Sequence, residues 1–519
     1  MDVQPDSKCP RTSADLDDNS EPDYFGRLHD NLIIEILDKL PMEVAMETSL
    51  LLKSWKDLWK HKRNVELGQM WVQNCGKSLF SSLLKIFNAL QGQNIHCMKV
   101  SLPYDCHVSS IVQSLMTYAS LKNFEELYID FNDRNDNRIK WRRRYPLVDM
   151  PNWVYSPCSS LVKLILISLQ LGTLPPLHFK ALRELYLEHV KLTKDSVEKI
   201  TSNCPSLGML SLSNCNPTAG LNINVAANSG LLHLVVNEEF TDIRKATELC
   251  IRAPNVKTIE FASALPRKSY RIDGTLACSE AIFRLDKMHH RLQAIRIFSS
   301  GLKGYHAKNF LGLLRKLATA KVLTVSSWCI QVLSMEVYNF REPLTFEASH
   351  LILETGLCRW EFQGIAYMLL GCYKLENLKI VMRDPAYLNY DYIKNVTVCQ
   401  VGNPGVQFDN ILQQLETIEF KNYAATYQTW DGNDFNESLF FAGSDFGRLL
   451  VWNLKTYADN LKKVVFSTRQ KHFASDQFRS IEPLSTFKKL YQCHLPCVYR
   501  NPTDRCHPAL IGVDFPPEE

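Results

Sequence analysis

The chain contains 519 residues, of which 45% are hydrophobic and 22% are charged, and its formal net charge is +4. This charge is small for the length, so neither nucleic acid nor an anionic membrane is favoured as a partner, and no apolar run approaches the ~18 residues of a membrane span. The 16 cysteines are scattered, and the acidic start does not read as a secretory signal. We therefore expect free thiols in the nucleus or the cytoplasm.

The N-terminal region predicts a leader and a small helical module. Residues 1–23 are polar and acidic, so we expect a disordered leader. In the module that follows, residues 24–66, Asp30 or Asn31 can cap a first helix. The apolar residues of this helix form one broad stripe: Leu32, Ile33, Ile36, Leu37 and Leu40.

Two further short helices are predicted in the same module. Pro41 ends the first helix, a second follows over residues 42–50, and a third covers residues 52–60 with Trp55. Three such helices cannot bury all of their apolar surface among themselves. Part of that surface must therefore face a partner or the rest of the chain.

From residue 120 onwards, a pattern recurs in which three apolar residues are separated by two residues and then by one. The better copies are FEELYI (124–129), LVKLIL (161–166), LRELYL (182–187), LGMLSL (207–212), LLHLVV (231–236) and VKTIEF (256–261). From Leu185 to Ile259 their central positions are 25, 24 and 25 residues apart. Weaker copies are LQAIRI (292–297), AKVLTV (320–325), SHLIL (349–353), LENLKI (375–380), LETIEF (415–420) and LKKVVF (461–466).

Each copy alternates with period two, which predicts a short strand. Between copies, residues 191–205 predict a helix capped by Asp195, with Glu198 three residues on and Pro205 as its end. A strand and a helix cannot bury their apolar face alone, so we expect an α/β leucine-rich-repeat solenoid of short parallel strands plus helices. The alternative is an unrelated α/β domain. After residue 265 the spacing widens to 27–46 residues, which predicts an irregular second half.

Two further features follow from the repeat. The turn after each strand usually carries Asn or Cys; two positions fit, Asn132 and Cys215, and three do not, Leu169, Val190 and Glu239. Solenoids bind partners on the strand face, and a mixture of polar and aromatic side chains suits a protein target. The candidate target-binding residues are Glu126, Tyr128, Arg183, Tyr186, Glu188, Ser211, Ser213 and His233.

The ordered motifs resemble a known family. The module is similar to a plant-type F-box in Leu28, Leu32–Ile33, Ile36–Leu37, Leu40–Pro41, Thr48–Ser49, Leu51, Lys53, Trp55 and Leu58–Trp59. Residues 150–166 and 179–215 resemble plant F-box leucine-rich-repeat proteins phrase by phrase, and residues 369–380, 415–423 and 449–466 resemble their C-terminal FBD module. The chain therefore looks like a plant F-box/leucine-rich-repeat/FBD protein over roughly two thirds of its length.

The resemblance implies a non-catalytic substrate receptor of a Skp–cullin–F-box ubiquitin ligase, in which the F-box docks on a Skp-type adaptor and the repeats hold a target protein. It implies the following adaptor contacts: Leu28, Leu32, Ile33, Ile36, Leu37, Leu40, Pro41, Leu51 and Trp55. The implied domains are the F-box (24–66), a linker with an irregular first repeat (67–119), the repeats (120–410), an FBD-like module (411–500) and a tail (501–519).

The module also departs from the family pattern. His29 stands where the family has Pro, Val44 where it has Asp, and Glu47 and Ser54 where it has Arg. These changes leave open an alternative, in which a degenerate F-box serves only as an N-terminal cap of a repeat-based protein-binding scaffold.

Other candidate chemistry is weaker. The cluster Arg138, Lys140, Arg142, Arg143 and Arg144 is a nuclear-import or phosphate-binding patch or, more simply, a solvated loop. The group Cys493, His494, Cys497, Cys506 and His507 departs from zinc-site spacing, so we expect no metal and no cofactor. No phosphate-binding loop, metalloprotease, nucleophile-elbow or kinase motif is present, so we expect no enzyme activity.

Overall fold

The computed structural model divides into two compact units, with the division at Arg143–Arg144. We call them the N-terminal unit and the repeat unit. The residues that it describes are 28–48, 50, 55–68, 85–86, 89–90, 95–101, 124–130, 148–149, 160–171, 179–216, 219–239, 247–274, 276–285, 303–336, 344–357, 361–383, 412–421, 460–469 and 478–481. The predicted leader and tail lie outside these ranges.

The N-terminal unit combines short helices with a small parallel sheet. Its elements are α1 (Asp30–Asp38), α2 (Met42–Thr48), a 3-10 helix (Leu58–His61), β1 (Asn64–Leu67), β2 (Cys97–Ser101) and β3 (Glu126–Asp130). β2 pairs in parallel with β1 and with β3. The first strand therefore begins inside the region predicted as all-α, and the helices lead directly into the sheet.

The cap of α1 differs from the prediction. His29, rather than Asp30 or Asn31, is the N-cap, and its ring Nδ1 accepts the backbone N–H of Asn31 at 3.3 Å. Asp30 and Asn31 already belong to the helix, whereas His29 has the extended backbone that a capping residue needs. Histidine is a less usual cap than Asp or Asn, which explains the misplaced start.

The C-terminal end of α1 is tied to the first strand. The buried ammonium of Lys62 donates to the backbone oxygens of Leu37, in the last turn of α1, and of Leu40, just after it. The Asp38 carboxylate accepts the backbone N–H groups of Arg63 at 2.8 Å and Asn64 at 3.2 Å. These contacts fix the helical module against β1.

The repeat unit is a ladder of short strands. Its strands are β4 (Val148–Asp149), β5 (Lys163–Ile167), β6 (Leu169–Gln170), β7 (Glu184–Glu188), β8 (Met209–Ser213), β9 (Leu221–Asn224), β10 (His233–Glu238), β11 (Glu248–Arg252), β12 (Thr258–Ser263), β13 (Ser269–Ile272), β14 (Glu280–Arg284), β15 (Val322–Ser326), β16 (His350–Thr355), β17 (Asn377–Met382), β18 (Thr417–Lys421), β19 (Lys463–Arg469) and β20 (Phe478–Ile481). The main sheet runs in the order β5, β7, β8, β10, β12, β14, β15, β16, β17, β18, β19 and β20. All its pairings are parallel except the last, between β19 and β20.

The apolar pattern sets the register of this sheet. Leu185 pairs with Leu210, Leu210 with Leu234, and Leu234 with Ile259, so the predicted central positions occupy one row. All four side chains are buried. The leucine-rich-repeat prediction is confirmed for this part of the chain, because each strand buries the apolar side chain at the corresponding position of its repeat.

One strand was missed by the sequence pattern. The strand that follows β12 is β14, in which Ala281, Ile282 and Phe283 are buried, and Ile259 pairs with Ala281. We predicted the next copy at LQAIRI (292–297), which lies outside the described residues. The first widening of the spacing therefore comes after β14, and alanine at the central position explains why the strand escaped the apolar pattern.

The elements between the main strands form a second layer, which we call the return layer. Only some of them are helices: α3 (Ser196–Asn203), α4 (Lys303–Lys316), α5 (Ser327–Glu336) and α6 (Phe362–Gly371). β9, β11 and β13 occupy the corresponding places in the middle repeats and form their own parallel sheet. The strand-plus-helix unit that residues 191–205 predict therefore does not extend to these three segments. Asp195 does occupy the N-cap position of α3, but its side chain makes no capping hydrogen bond.

Phenylalanines fill the interior between the two layers. The Phe261 ring stacks on Phe283 with a centroid distance of 5.7 Å, and Phe283 meets Phe310 edge-on at 5.3 Å. All three side chains are fully buried. Such ring pairs add specific packing to the apolar burial that holds neighbouring repeats together.

The turns after the main strands use left-handed backbone. Ser168, His189 and Asn214 have φ values of 60°, 52° and 53°, and each stands two residues after the third apolar residue of its repeat pattern. Their N–H groups donate to the next repeat, to Glu188 O at 2.9 Å, Ser213 O at 2.8 Å and Asn237 O at 2.8 Å. The turn thus extends the hydrogen-bond ladder beyond the strand.

Candidate interaction surfaces

One face of α1 is apolar and open to solvent. The side chains of Leu32 and Ile36, one helical turn apart, are 51% and 40% exposed, and Leu50, after α2, is 84% exposed. Exposed large aliphatic side chains on neighbouring positions mark an interaction site when they are adjacent rather than scattered. We call Leu32 and Ile36 the outer pair.

The neighbouring residues of the same helix face inwards. Ile33 and Leu37 are almost fully buried and form a small core with Ala45 and Trp55. Leu28, Leu40, Leu58 and Trp59 pack against this core and are partly buried. The single broad stripe of the sequence is therefore split into two pairs with opposite environments.

The predicted adaptor contacts divide accordingly. The side chains of Leu32, Ile36 and Pro41 are exposed and can contact a partner. Those of Leu28 and Leu40 are half-buried. Ile33, Leu37 and Trp55, which were predicted to contact the adaptor directly, are enclosed in the module and hold the exposed residues in place. Leu51 lies outside the described residues. Leu50 was not singled out from the sequence, although the apolar run around it was a usable signal.

Two ionisable groups, the buried Lys62 and the half-buried Glu43, lie where the module meets β1. Burial lowers the pKa of the Lys62 ammonium, although the nearby charges of Asp38 and Glu66 oppose this shift. Burial likewise raises the pKa of the Glu43 carboxyl on α2, while backbone hydrogen bonds act in the opposite direction. Both groups serve the internal contacts of the N-terminal unit, so neither has the geometry of a reactive centre.

The strand face of the N-terminal unit carries Glu126 and Tyr128 on β3. Both side chains are half-buried, as alternation predicts. The Lys99 ammonium lies 5.4 Å from the centroid of the Tyr128 ring and 2.5 Å from Glu66 Oε1. The Tyr128 hydroxyl donates to Asp130 Oδ2 at 3.2 Å. This cluster presents an aromatic ring among paired charges.

A similar cluster lies on the repeat unit. Lys163 on β5 lies 5.3 Å from the Tyr186 ring and 3.4 Å from the Glu184 carboxylate. The Tyr186 hydroxyl donates to Glu184 Oε2 at 3.1 Å. Glu188 shares this strand face and is 45% exposed.

Glu184 was absent from the predicted set, whereas Arg183, which was included, precedes the strand. Arg183 precedes β7 and is exposed, but it does not belong to the outward row of the strand, whereas Glu184 does. Ser211 is 7% exposed and therefore offers little surface, while Ser213 and His233 are half-buried on the same face. An offset of one residue in the strand start accounts for the choice of Arg183.

Further along the sheet, a chain of ion pairs lies on the strand face. The Arg284 guanidinium contacts Glu260 Oε1 at 3.1 Å and Glu354 Oε1 at 3.0 Å. Arg383 contacts Glu354 Oε2 at 3.1 Å. Arg284 thus reaches from β14 across β15 to β16, over the small and buried Ser326. We call these four charged residues the ion-pair chain.

Neither a metal cluster nor a membrane span is found among the described residues. No group of three or more His, Cys, Asp or Glu side chains there could hold a metal ion, and no described helix is both long and apolar enough to cross a membrane. The cysteine–histidine group at 493–507 and the basic cluster at 138–144 both lie outside the described ranges.

Comparison with known proteins identifies a matching family model and several relatives. A family model described as the leucine-rich repeats of the FBD-associated F-box protein At5g56370 matches residues 112–272. F-box/LRR-repeat protein At1g56400 of Arabidopsis thaliana is 22% identical over 90% of this chain and 96% of its own length. The chain is similar to plant F-box/leucine-rich-repeat/FBD proteins.

Other Arabidopsis relatives match parts of the chain. The Arabidopsis F-box/FBD/LRR-repeat protein At3g49030 is 27% identical over 38% of the chain and 42% of its own length. F-box/LRR-repeat protein 13 of the same plant is 27% identical over 37% of the chain and 42% of its own length. The N-terminal helices fit an F-box, and the parallel strands of β5 to β12 fit the repeats that the family model describes.

Proposed function

We propose that this F-box/leucine-rich-repeat protein is a substrate-recognition subunit of a Skp–cullin–F-box ubiquitin ligase. In this proposal the F-box docks on a Skp-type adaptor, through it on a cullin, and the repeats hold a protein target. The observation that carries the proposal is the outer pair, Leu32 and Ile36, which remains exposed although the same helix fills a closed core with Ile33 and Leu37.

The energetics favour a helix-in-groove contact. Complete burial of a Leu or Ile side chain contributes ~1.5–3 kcal/mol, and about half of each outer-pair side chain is still exposed, so each has roughly 1 kcal/mol to offer a partner. Residues four apart on one helix face are the usual anchors of such recognition. Leu50 adds a third exposed aliphatic group in the same module.

The second candidate role, an N-terminal cap, also has support. Lys62 and Asp38 tie the end of α1 to the residues at the start of β1, so the helices are fixed at the edge strand of their unit. A cap needs only the inward-facing residues, however. The outer pair has no role in capping, and this favours adaptor docking in addition to it.

The protein itself is proposed to be non-catalytic and to act in the nucleus or the cytoplasm. The described cysteines are free thiols, which is compatible with a reducing compartment. Transfer of ubiquitin would be performed by other subunits, while this chain supplies two binding surfaces.

Co-purification with a recombinant Skp-type adaptor tests the proposal. The test variant is Leu32→Asp with Ile36→Asp, and the matched control is Leu232→Asp, which changes a side chain of similar exposure (48%) in the repeat unit. We expect the adaptor to be recovered with the wild type and the control and to be lost with the double variant, while circular dichroism stays unchanged. Equal recovery with all three proteins, or none with the wild type, would contradict the proposal.

A further inference from the structure

Charge is unevenly distributed over the strand face of the repeat unit. The outward residues of β5, β7, β8, β10, β12 and β14 include four carboxylates, Glu184, Glu188, Glu260 and Glu280, and two cations, Lys163 and Arg284. The corresponding residues of β15 to β18 are balanced, with Glu354 and Glu419 against Lys379 and Lys421. The acidic excess is therefore confined to the first six main strands.

Within the part of the chain that the structure describes, two of these carboxylates have no Lys or Arg side chain beside them. Glu184 is paired with Lys163 and Glu260 with Arg284, whereas Glu280 accepts only the Thr258 hydroxyl, at 3.1 Å. Glu188 lies 3.8 Å from the ring of its neighbour His189 and is 45% exposed. A basic partner can therefore pair with Glu188 and Glu280 without breaking an ion pair to Lys or Arg on this face.

Apolar surface lies between the acidic positions. Tyr186 and Met209 are adjacent on the face, with the Tyr186 hydroxyl 3.4 Å from the Met209 sulfur, and Val235 is half-buried on β10. Tyrosine and methionine are well suited to protein contacts because they offer large apolar area with an adaptable or polar end. The later strands are less available, since Thr324 on β15 and Glu354 on β16 are each under 9% exposed.

We propose that the face formed by β5 to β14 binds a basic, extended segment of the target protein, with Lys or Arg side chains on both sides of an apolar anchor. This inference rests on the proposed receptor function and adds the chemistry of the target. Neighbouring strands are ~4.8 Å apart, so the four steps from β7 to β14 span ~19 Å, the length of about six extended residues. The ion-pair chain marks the far boundary of the face.

Because the whole chain is positively charged, binding of a basic peptide would point to a local acidic surface. At +4, the protein as a whole repels a basic peptide, so attraction must come from a local surface of opposite sign. Such attraction between exposed charges weakens as salt rises, because the Debye length falls to ~8 Å at physiological ionic strength.

Selection from a random display library of short peptides on the full-length protein tests the inference. We expect the enriched peptides to be more positively charged than the unselected library, and a synthetic copy of the most enriched one to lose about tenfold in affinity with Glu188→Gln plus Glu280→Gln. The matched control is Glu198→Gln plus Glu248→Gln, which removes two exposed carboxylates from the return layer and should leave the affinity unchanged.

Enrichment of neutral or acidic peptides would overturn the inference, as would equal affinity losses in the two double variants. Adaptor capture measured on the same preparations separates the two proposals. If the adaptor binds but basic peptides are not enriched, only the target chemistry is wrong. If basic peptides bind this face but the adaptor does not, the inference holds and the ligase role fails.

Discussion

The guanidinium of Arg267 and the carboxylate of Glu238 form a 2.6 Å ion pair inside the repeat unit, where both side chains are at most 5% exposed. Arg267 also donates to the backbone oxygens of Cys215 and Ala219 and to the Thr247 hydroxyl. One side chain therefore joins the turn after β8 to the return-layer segments that flank β9 and β11.

Replacement of Arg267 by Met is expected to destabilise the repeat unit by about 3–5 kcal/mol, because it leaves the Glu238 charge buried without its partner. Urea denaturation followed by circular dichroism measures the change. Arg271→Met is the control, since Arg271 pairs with Asp273 at 3.1 Å but is 66% exposed, and we expect no measurable loss there. Equal midpoints for the two variants would show that the buried pair is not needed.

Gly364 is expected to resist substitution. A Cβ at this position would overlap the backbone oxygen of Ile330 on α5 and lie 2.8 Å from Ser334 Oγ. Gly364→Ala should therefore cost about 1–3 kcal/mol through overpacking of α5 against α6. Gly312→Ala is the matched control, because a Cβ there meets nothing within 4 Å in the helix α4, and it should stabilise by ~0.5–1 kcal/mol. Thermal unfolding of both variants measures the two changes in stability, and equal midpoints would contradict the close approach of Gly364 to α5.

The thermal stability of the protein should depend less on pH when Glu43, on α2 of the helical module, is replaced by Gln. Burial raises the pKa of the Glu43 carboxyl above its ordinary value of 4.5, so the folded state favours the protonated form. The corresponding stability is fully present below that value and is lost as pH rises through the folded-state pKa. We expect Glu43→Gln to match the wild type in acid and to exceed it at neutral pH, in thermal unfolding of the full chain.

Glu47→Gln, an exposed change on the same helix, is the control for that experiment. A neutral-pH gain of the same size in both variants would attribute the effect to general surface charge rather than to the burial of Glu43.

The buried thiols should be inert in the native protein. Burial raises the pKa of Cys204 and Cys278 to about 11 and that of Cys215 and Cys372 to about 12, so almost no thiolate exists at neutral pH. We expect iodoacetamide to label these four cysteines only after unfolding, as read by peptide mass spectrometry. The half-buried Cys250 should react earlier. Native labelling of Cys215 would contradict the packing of its turn.

The repeat architecture was predictable because it depends on a periodic signal. Each strand contributes a side chain such as Leu210 to the same row, so errors in one copy do not alter the register of the others. The return layer was less predictable. Leu221, Ile223 and Val225 do alternate as strand residues should, and this signal for β9 was present in the sequence. It competed with the strand-plus-helix unit that residues 191–205 predict.

The sequence predicts where the candidate surfaces lie, but not which residues of each surface are exposed. Sequence alone groups Leu32 with Ile33, because both belong to one wide apolar stripe, and only the position of Trp55 and Ala45 decides which of them is enclosed. The preference for Arg183 over Glu184 has a similar cause, since one residue separates the outward row of a strand from the residue that precedes it.

The division of labour along α1 has an evolutionary consequence. Positions 33 and 37 hold the module together, so mutations there are exposed to selection through loss of the fold. Positions 32 and 36 are free of that constraint and change only what the surface recognises. A gene copy that drifts at the second pair can therefore exchange one partner for another while its architecture survives intact.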